Sequence, residues 1–200
     1  DDAVGRFVLR ELDRYGVNRA HIRMVQGEAR TSLAVVETRN EDCQSVIYRN
    51  GAADFALETA DVASIAFEAF GALIVTGTAL AVEPSRAAAL LAMASARAAH
   101  VPVILDVDYR PYSWASAAEA EATCRDAAQR ADIVIGNDLE FDVMAGGNGG
   151  RDLAIRLAAQ CAAVIYKMGE NGSVSFADGR SFETPVFTVT ALKPTGAGDA

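Results

Sequence analysis

The chain has 200 residues, 51% of them hydrophobic and 22% charged, with a formal net charge of −9. That is enough apolar material for a buried core in one domain, or one with a small insertion, and too much for a disordered chain. The acidic balance argues against nucleic acid and anionic membranes as partners, since both want a basic face.

No apolar run approaches the roughly 18 residues of a membrane span. Asp1-Asp2-Ala3-Val4 does not read as a secretory leader, and the composition fits a soluble cytoplasmic protein. Cys43, Cys124 and Cys161 are isolated from one another, and His21 and His100 have no ligand spacing. Small buried or surface residues are therefore expected at all five, not a zinc site or a Cys/His pair.

Val4, Phe7, Val8, Leu12 and Tyr15 recur at helical spacing, with Asp2 as N-cap and Gly16 as the stop. The period then changes. Residues 31–36 and 44–48 read as strands around the polar turn Arg39-Asn40-Glu41-Asp42, which makes a hairpin, and residues 49–54 form a loop. Helices are expected over 60–67, 84–99, 115–130 and 152–160, with another starting at Asn137. Ser116 is the candidate cap of the third, and Pro84 sits near the first turn of the second. Strands are expected over 72–76, 101–107, 132–135 and 162–167, followed by a turn into Val174-Ser175-Phe176 and a last strand over 185–190.

Apolar strands alternating with amphipathic helices mean βαβ units and a mostly parallel sheet, an α/β fold. Ligands of such sheets sit beyond the carboxyl ends of the strands. The loops after Thr76, Val107, Ile135 and Lys167 are therefore the ones to inspect. Gly146-Gly147-Asn148-Gly149-Gly150 joins two helices, lacks the strand-to-helix context of a phosphate loop, and reads as a flexible connector. Both ends interrupt a pattern: a helix begins almost at Asp1, and another should be starting at Ala200. An internal piece of a longer protein is expected.

After Val107, Asp108-Tyr109-Arg110-Pro111-Tyr112-Ser113-Trp114 gathers charge and aromatics at the ligand end of a strand. Arg110 can bind a carboxylate or hydroxyls bidentately; the plainer reading is a surface loop with Trp114 covering the core. Asn137 and Glu140 lie three apart at a helix start. They suit a pair that orients hydrated magnesium near phosphates, and equally a capping box, which is the better local reading. Met168 to Ser173 has two glycines for a tight turn, either a nucleotide platform or an ordinary hairpin. Thr195-Gly196-Ala197-Gly198-Asp199 can aim consecutive N–H groups, and the start of a helix, at one anion. An acid beside an anion is better explained as a base that takes a proton.

These four loops, in this order, resemble the ribokinase-like (PfkB) carbohydrate kinases. Thr195-Gly196-Ala197-Gly198-Asp199 resembles the family's second signature, Asn137-x-x-Glu140 its N-x-x-E motif, and Lys167 to Gly172 its nucleotide-binding turn. The resemblance implies one three-layer α/β/α kinase domain over 1–200, with a mostly parallel sheet and a small β lid inserted at about 22–49. It implies ATP and magnesium. Asp199 would be the general base, and the N–H groups of Gly196, Ala197 and Gly198 the anion hole. Lys167, Gly169, Gly172, Asn137 and Thr195 would bind the nucleotide, and Asn137 with Glu140 would organise the metal indirectly.

Residues 106–114 and Tyr48-Arg49-Asn50 look most like the family's sugar-acid kinases for 5-dehydro-2-deoxygluconate in myo-inositol breakdown, and also resemble those for 2-keto-3-deoxygluconate. Arg110 and Arg49 would then hold a substrate carboxylate, beside Tyr109 and Asp108. Two arginines suit an acidic sugar and have little use on a neutral one such as fructose. A 2-keto-3-deoxygluconate kinase or a fructokinase of the same family, and an inactive nucleotide-binding fragment, are the competing readings. The lid implies a possible homodimer.

Overall fold

The computed structural model describes residues 1–37 and 45–187. They fall into two units, one taking in Asp1–Ala53 and the other Asp54–Pro185.

In the first unit, α1 (Ala3–Arg14) starts where expected. The Asp2 carboxylate accepts the Gly5 and Thr31 backbone N–H groups, each at 2.7 Å. Those donors, Gly5 first, bring its carboxyl down to about 2. One side chain thus caps the helix and ties it to the approach to the hairpin. Strands β1 (Leu33–Val36) and β2 (Ser45–Tyr48) pair antiparallel, with Leu33 opposite Tyr48 and Val35 opposite Val46. The strand period of two puts these four on one face, and all four are exposed. The turn expected at Arg39–Asp42 lies outside the described residues.

The second unit is built on a six-stranded sheet: β3 (Leu73–Thr76), β4 (Val103–Asp106), β5 (Ile133–Asn137), β6 (Ala163–Lys167), β7 (Ser173–Ala177) and β8 (Arg180–Thr184), in that spatial order. Strands β3 to β6 are parallel, and β7 and β8 add antiparallel at the edge. The helices are α2 (Thr59–Ala63), α3 (Ser85–Ala98), α4 (Ala117–Arg130), α5 (Asp138–Met144) and α6 (Gly150–Ala158). A sheet laid down strand by strand in one direction, with right-handed crossovers, puts α3 to α6 on the same face.

The burial pattern agrees. Val103, Leu105, Val134, Val164, Tyr166, Val174 and Phe176 are buried, while Ile104, Ile133, Ile135 and Ile165 between them are half-buried. Helix α3 buries Ala88, Ala89, Ala92, Met93 and Ala96, mostly small side chains that let it lie close to the strands. Each large, fully buried side chain such as Leu105, Met93 or Phe141 contributes about 1.5–3 kcal/mol. No helix of the described residues is long and apolar enough to cross a membrane.

Three expectations are corrected. The helix expected over 60–67 stops at Ala63, and a separate 3₁₀ turn covers Phe67–Ala69; the break lets both Val62 and Phe67 reach the core. Gly146–Gly150 is not wholly a loose connector. Gly150 opens α6 two residues before Asp152, its N–H donates to Asp142 Oδ1 at 2.8 Å, and a Cβ there would lie 2.6 Å from the Asp142 nitrogen. Residues 185–187 form no strand, and 188–190 lie outside the described residues. The sheet ends instead with β8, whose residues are all exposed and carry no apolar alternation. Its sequence signal was Asp178-Gly179, with φ of 51° and 70°, a two-residue hairpin turn.

Candidate active site

The parallel strands deliver their loops to one edge of the sheet. Register sets Thr76 beside Asp106, and Asn137 beside Lys167. Asp108, Tyr109, Arg110, Asn137, Glu140, Lys167, Gly169 and Gly172 all lie at the carboxyl ends of β4, β5 and β6, where the topology predicts a ligand.

At the end of β5, Asn137 and Glu140 make a full capping box. Asn137 Oδ1 accepts the Glu140 N–H at 2.9 Å, and Glu140 Oε2 accepts the Asn137 N–H at 2.7 Å. Glu140 also reaches the neighbouring loop, where its Oε1 accepts the Tyr109 N–H at 3.2 Å. The side chain is buried, and burial raises its carboxyl above the usual range against the lowering effect of the Asn137 and Tyr109 N–H groups. Asp106 adds to the rise and Lys167 opposes it. Both oxygens already serve backbone donors. The pair therefore fits a hydrated magnesium met through its waters and does not fit a direct cage. Among the described residues no three His, Cys, Asp or Glu side chains converge as a metal site.

The loop after β4 is fixed at its start by Asp108, whose φ is 34°. Thr78 Oγ1 donates to Asp108 Oδ2 at 3.2 Å, and Arg110 pairs with Asp108 Oδ1 at 2.7 Å. Thr76 and Thr78 share a hydroxyl hydrogen bond at 3.0 Å, so a polar chain runs from the end of β3 to Arg110. The Arg110 side chain is 49% exposed while it pairs with Asp108. A Pro111–Ser113 turn follows, and Trp114 closes the loop in the core.

After β6, Met168 N–H donates to the Gly172 carbonyl at 2.7 Å and Gly172 N–H to that of Gly169 at 3.1 Å. Gly172 has φ 78° and ψ −141°, and a Cβ there would stand 2.1 Å from the Thr184 oxygen of β8. Packing alone thus demands glycine at this position, whatever it binds.

Arg49 follows β2 in the first unit. Thr195, Gly196, Ala197, Gly198 and Asp199 lie outside the described residues. Sequence reasoning singled out the loop after Thr76 but assigned nothing in it, and so missed Thr78, a buried hydroxyl at the ligand end of a strand. It also missed Arg86, a cation in the first turn of α3.

Comparison with known proteins matches all of residues 1–200 to the family model described as pfkB family carbohydrate kinase. The chain is 41% identical over 207 residues to a 5-dehydro-2-deoxygluconokinase of Photobacterium profundum, covering all of this chain and 62% of that protein. It is 36% identical over 208 residues to 5-dehydro-2-deoxygluconokinase 2 of Bacillus cereus, covering all of this chain and 63% of that protein. Among solved structures, the fructokinase of Vibrio cholerae O395 in its fructose, ADP and calcium ion bound form superposes with a TM-score of 0.82 at 25% identity, over all of this chain and 65% of that one. The chain thus spans under two thirds of the length of these relatives. With its whole length matched to that model, and with the loops after β4, β5 and β6 at the carboxyl edge of a mostly parallel sheet, the chain belongs to the pfkB family of carbohydrate kinases.

Proposed function

We propose that the protein is an ATP-dependent sugar-acid kinase that phosphorylates the terminal hydroxyl of 5-dehydro-2-deoxygluconate in myo-inositol breakdown. One observation carries this reading: relatives bearing that activity in their names align with the whole chain at 36–41% identity. The half-exposed Arg110 side chain at the carboxyl edge of the sheet supports it, because a carboxylate is the ligand a guanidinium fork suits. Arg49 is the second cation, and Tyr109 and Asp108 complete the substrate set. The hairpin of β1 and β2 serves as the family's β lid within one kinase domain. Its exposed Leu33, Val35, Val46 and Tyr48 face is the one to test for a homodimer.

In this mechanism Asp199 takes the proton of the terminal hydroxyl as that oxygen bonds to the γ-phosphorus and the bond to the ADP oxygen breaks. The Gly196, Ala197 and Gly198 N–H groups hold the charge on the transferring phosphoryl, since this chemistry needs chiefly positioning and charge stabilisation. Lys167, Gly169, Gly172, Asn137 and Thr195 bind the nucleotide. Magnesium, held through its waters near Asn137 and Glu140, would neutralise phosphate charge.

The test is ADP release by the full-length protein with 5-dehydro-2-deoxygluconate, 2-keto-3-deoxygluconate, fructose and ribose. Turnover should be highest on the first, and Asp199→Asn should lower it by about 10²–10⁴-fold. Preference for fructose or for 2-keto-3-deoxygluconate would replace the substrate assignment. Nucleotide binding without sugar-dependent turnover would indicate an inactive nucleotide-binding protein.

A further inference from the structure

The loop that carries Arg110 is anchored at both ends by one neighbour, the segment from β3 into α3. At its start Asp108 takes the Thr78 hydroxyl. At its end Trp114 lies under the Arg86 guanidinium, 5.9 Å from the ring centroid and within the range of a cation–π contact. Arg86 makes three further polar contacts through two of its nitrogens. Its Nε donates to the Leu80 carbonyl at 2.7 Å, and one terminal nitrogen donates to the Ala81 carbonyl at 2.7 Å and to Glu119 Oε1 at 2.6 Å. Glu119 belongs to the first turn of α4, which Ser116 caps through the Glu119 N–H at 3.1 Å. The Trp114 indole N–H is buried and has no hydrogen-bond partner among the described residues. Its ring is therefore held by core contacts and by the cation above it.

We propose that Arg86 is a positioning residue for substrate recognition: by clamping Trp114 and the first turn of α4 to the β3–α3 connection, it fixes the 108–114 loop and so the reach of Arg110. A side chain with only one point of attachment could be replaced by lysine. Arg86 bonds two carbonyls and a carboxylate in a fixed fork, which lysine does not reproduce. The substrate part of this proposal rests on the sugar-acid reading above. The anchoring part does not.

Trp114 is the only tryptophan of these 200 residues, and the difference spectrum against a Trp114→Phe variant isolates its emission from that of any other tryptophan in the full-length protein. The full-length protein is compared with Arg86→Lys and Glu119→Gln variants, each checked for folding by circular dichroism. Without substrate, both variants should show longer-wavelength Trp114 emission and easier quenching by acrylamide. With substrates, KM for the sugar acid should rise about tenfold, the scale of one hydrogen bond to a charged group, while KM for ATP and kcat stay within about twofold. Unchanged emission and quenching in both variants would overturn the anchoring. Altered emission with unchanged KM for the sugar acid, or with equal changes in both KM values, would overturn the positioning role. If the wild type turns over no sugar acid, the substrate reading fails by itself, and the emission measurement still decides whether Arg86 holds the loop.

Discussion

Glu140 and Tyr109 join two loops of the sheet's carboxyl edge: the buried Glu140 carboxylate accepts the Tyr109 backbone N–H at 3.2 Å while its other oxygen closes the capping box with Asn137. A helix cap and the loop after β4 therefore share one side chain. Glu140→Ala removes both acceptors and should lower stability by about 2–3 kcal/mol, a lost cap plus a buried N–H left unpaired. Glu140→Gln keeps one acceptor and cannot ionise. Because burial raises the Glu140 carboxyl in the folded state, the unfolded chain loses this proton first as pH rises. The wild type should thus lose stability relative to Glu140→Gln from the ordinary glutamate range up to the raised value, and then stay level. Thermal unfolding of both proteins from pH 4 to 7 measures this; a constant difference would contradict it.

Arg110→Ala should separate binding from stability. The Arg110–Asp108 pair is half-exposed at Arg110, so its loss should change unfolding by no more than about 1 kcal/mol. If the guanidinium meets a substrate carboxylate, KM for the sugar acid should rise about 10–100-fold, with turnover of a neutral sugar unaffected. Steady-state kinetics on an acidic and a neutral sugar give the comparison, and equal losses on both would count against the role.

Gly172→Ala should destabilise by about 2–3 kcal/mol, read as a lower urea midpoint at unchanged slope. The backbone there is in a region that side chains rarely adopt, and the new methyl would meet the Thr184 carbonyl at 2.1 Å. Ala at the neighbouring Gly169, where a Cβ meets nothing within 4 Å, should cost less. Equal effects at the two positions would show that the β8 contact is not what matters.

Cys124 should be chemically silent in the native protein. Burial is the main force on its thiol, with the Glu140 charge adding to it, and together they push the pKa up to about 12. Alkylation at pH 8 followed by peptide mass spectrometry should find Cys124 unlabelled until denaturant is added. The Cys161 thiol is also raised by burial, and it should label slowly for the same reason.

Features set by local rules were legible in the chain itself. Asp2 and Ser116 cap helices because a short acceptor placed before an amphipathic run finds free N–H groups wherever that helix folds. The alternation of apolar strands and helices announced a mostly parallel sheet, and that topology pointed to the loops after Val107, Ile135 and Lys167. Where local rules were weak, the reading failed: the fully exposed β8 has no apolar period, and the helix at 60–67 gave way so that Phe67 could reach the core.

The sequence by itself determined the α/β class and the strand ends of β4, β5 and β6 where the topology expects a ligand, because each follows from short-range periodicity or from a contiguous motif. Only the tertiary structure decided what the residues there touch. Thr78 meets Asp108 across 30 positions, Glu140 meets Tyr109 across 31, and Arg86 meets Glu119 across 33. Such contacts depend on strand order and register, which bring distant loops to one edge, and no local pattern in the chain encodes them.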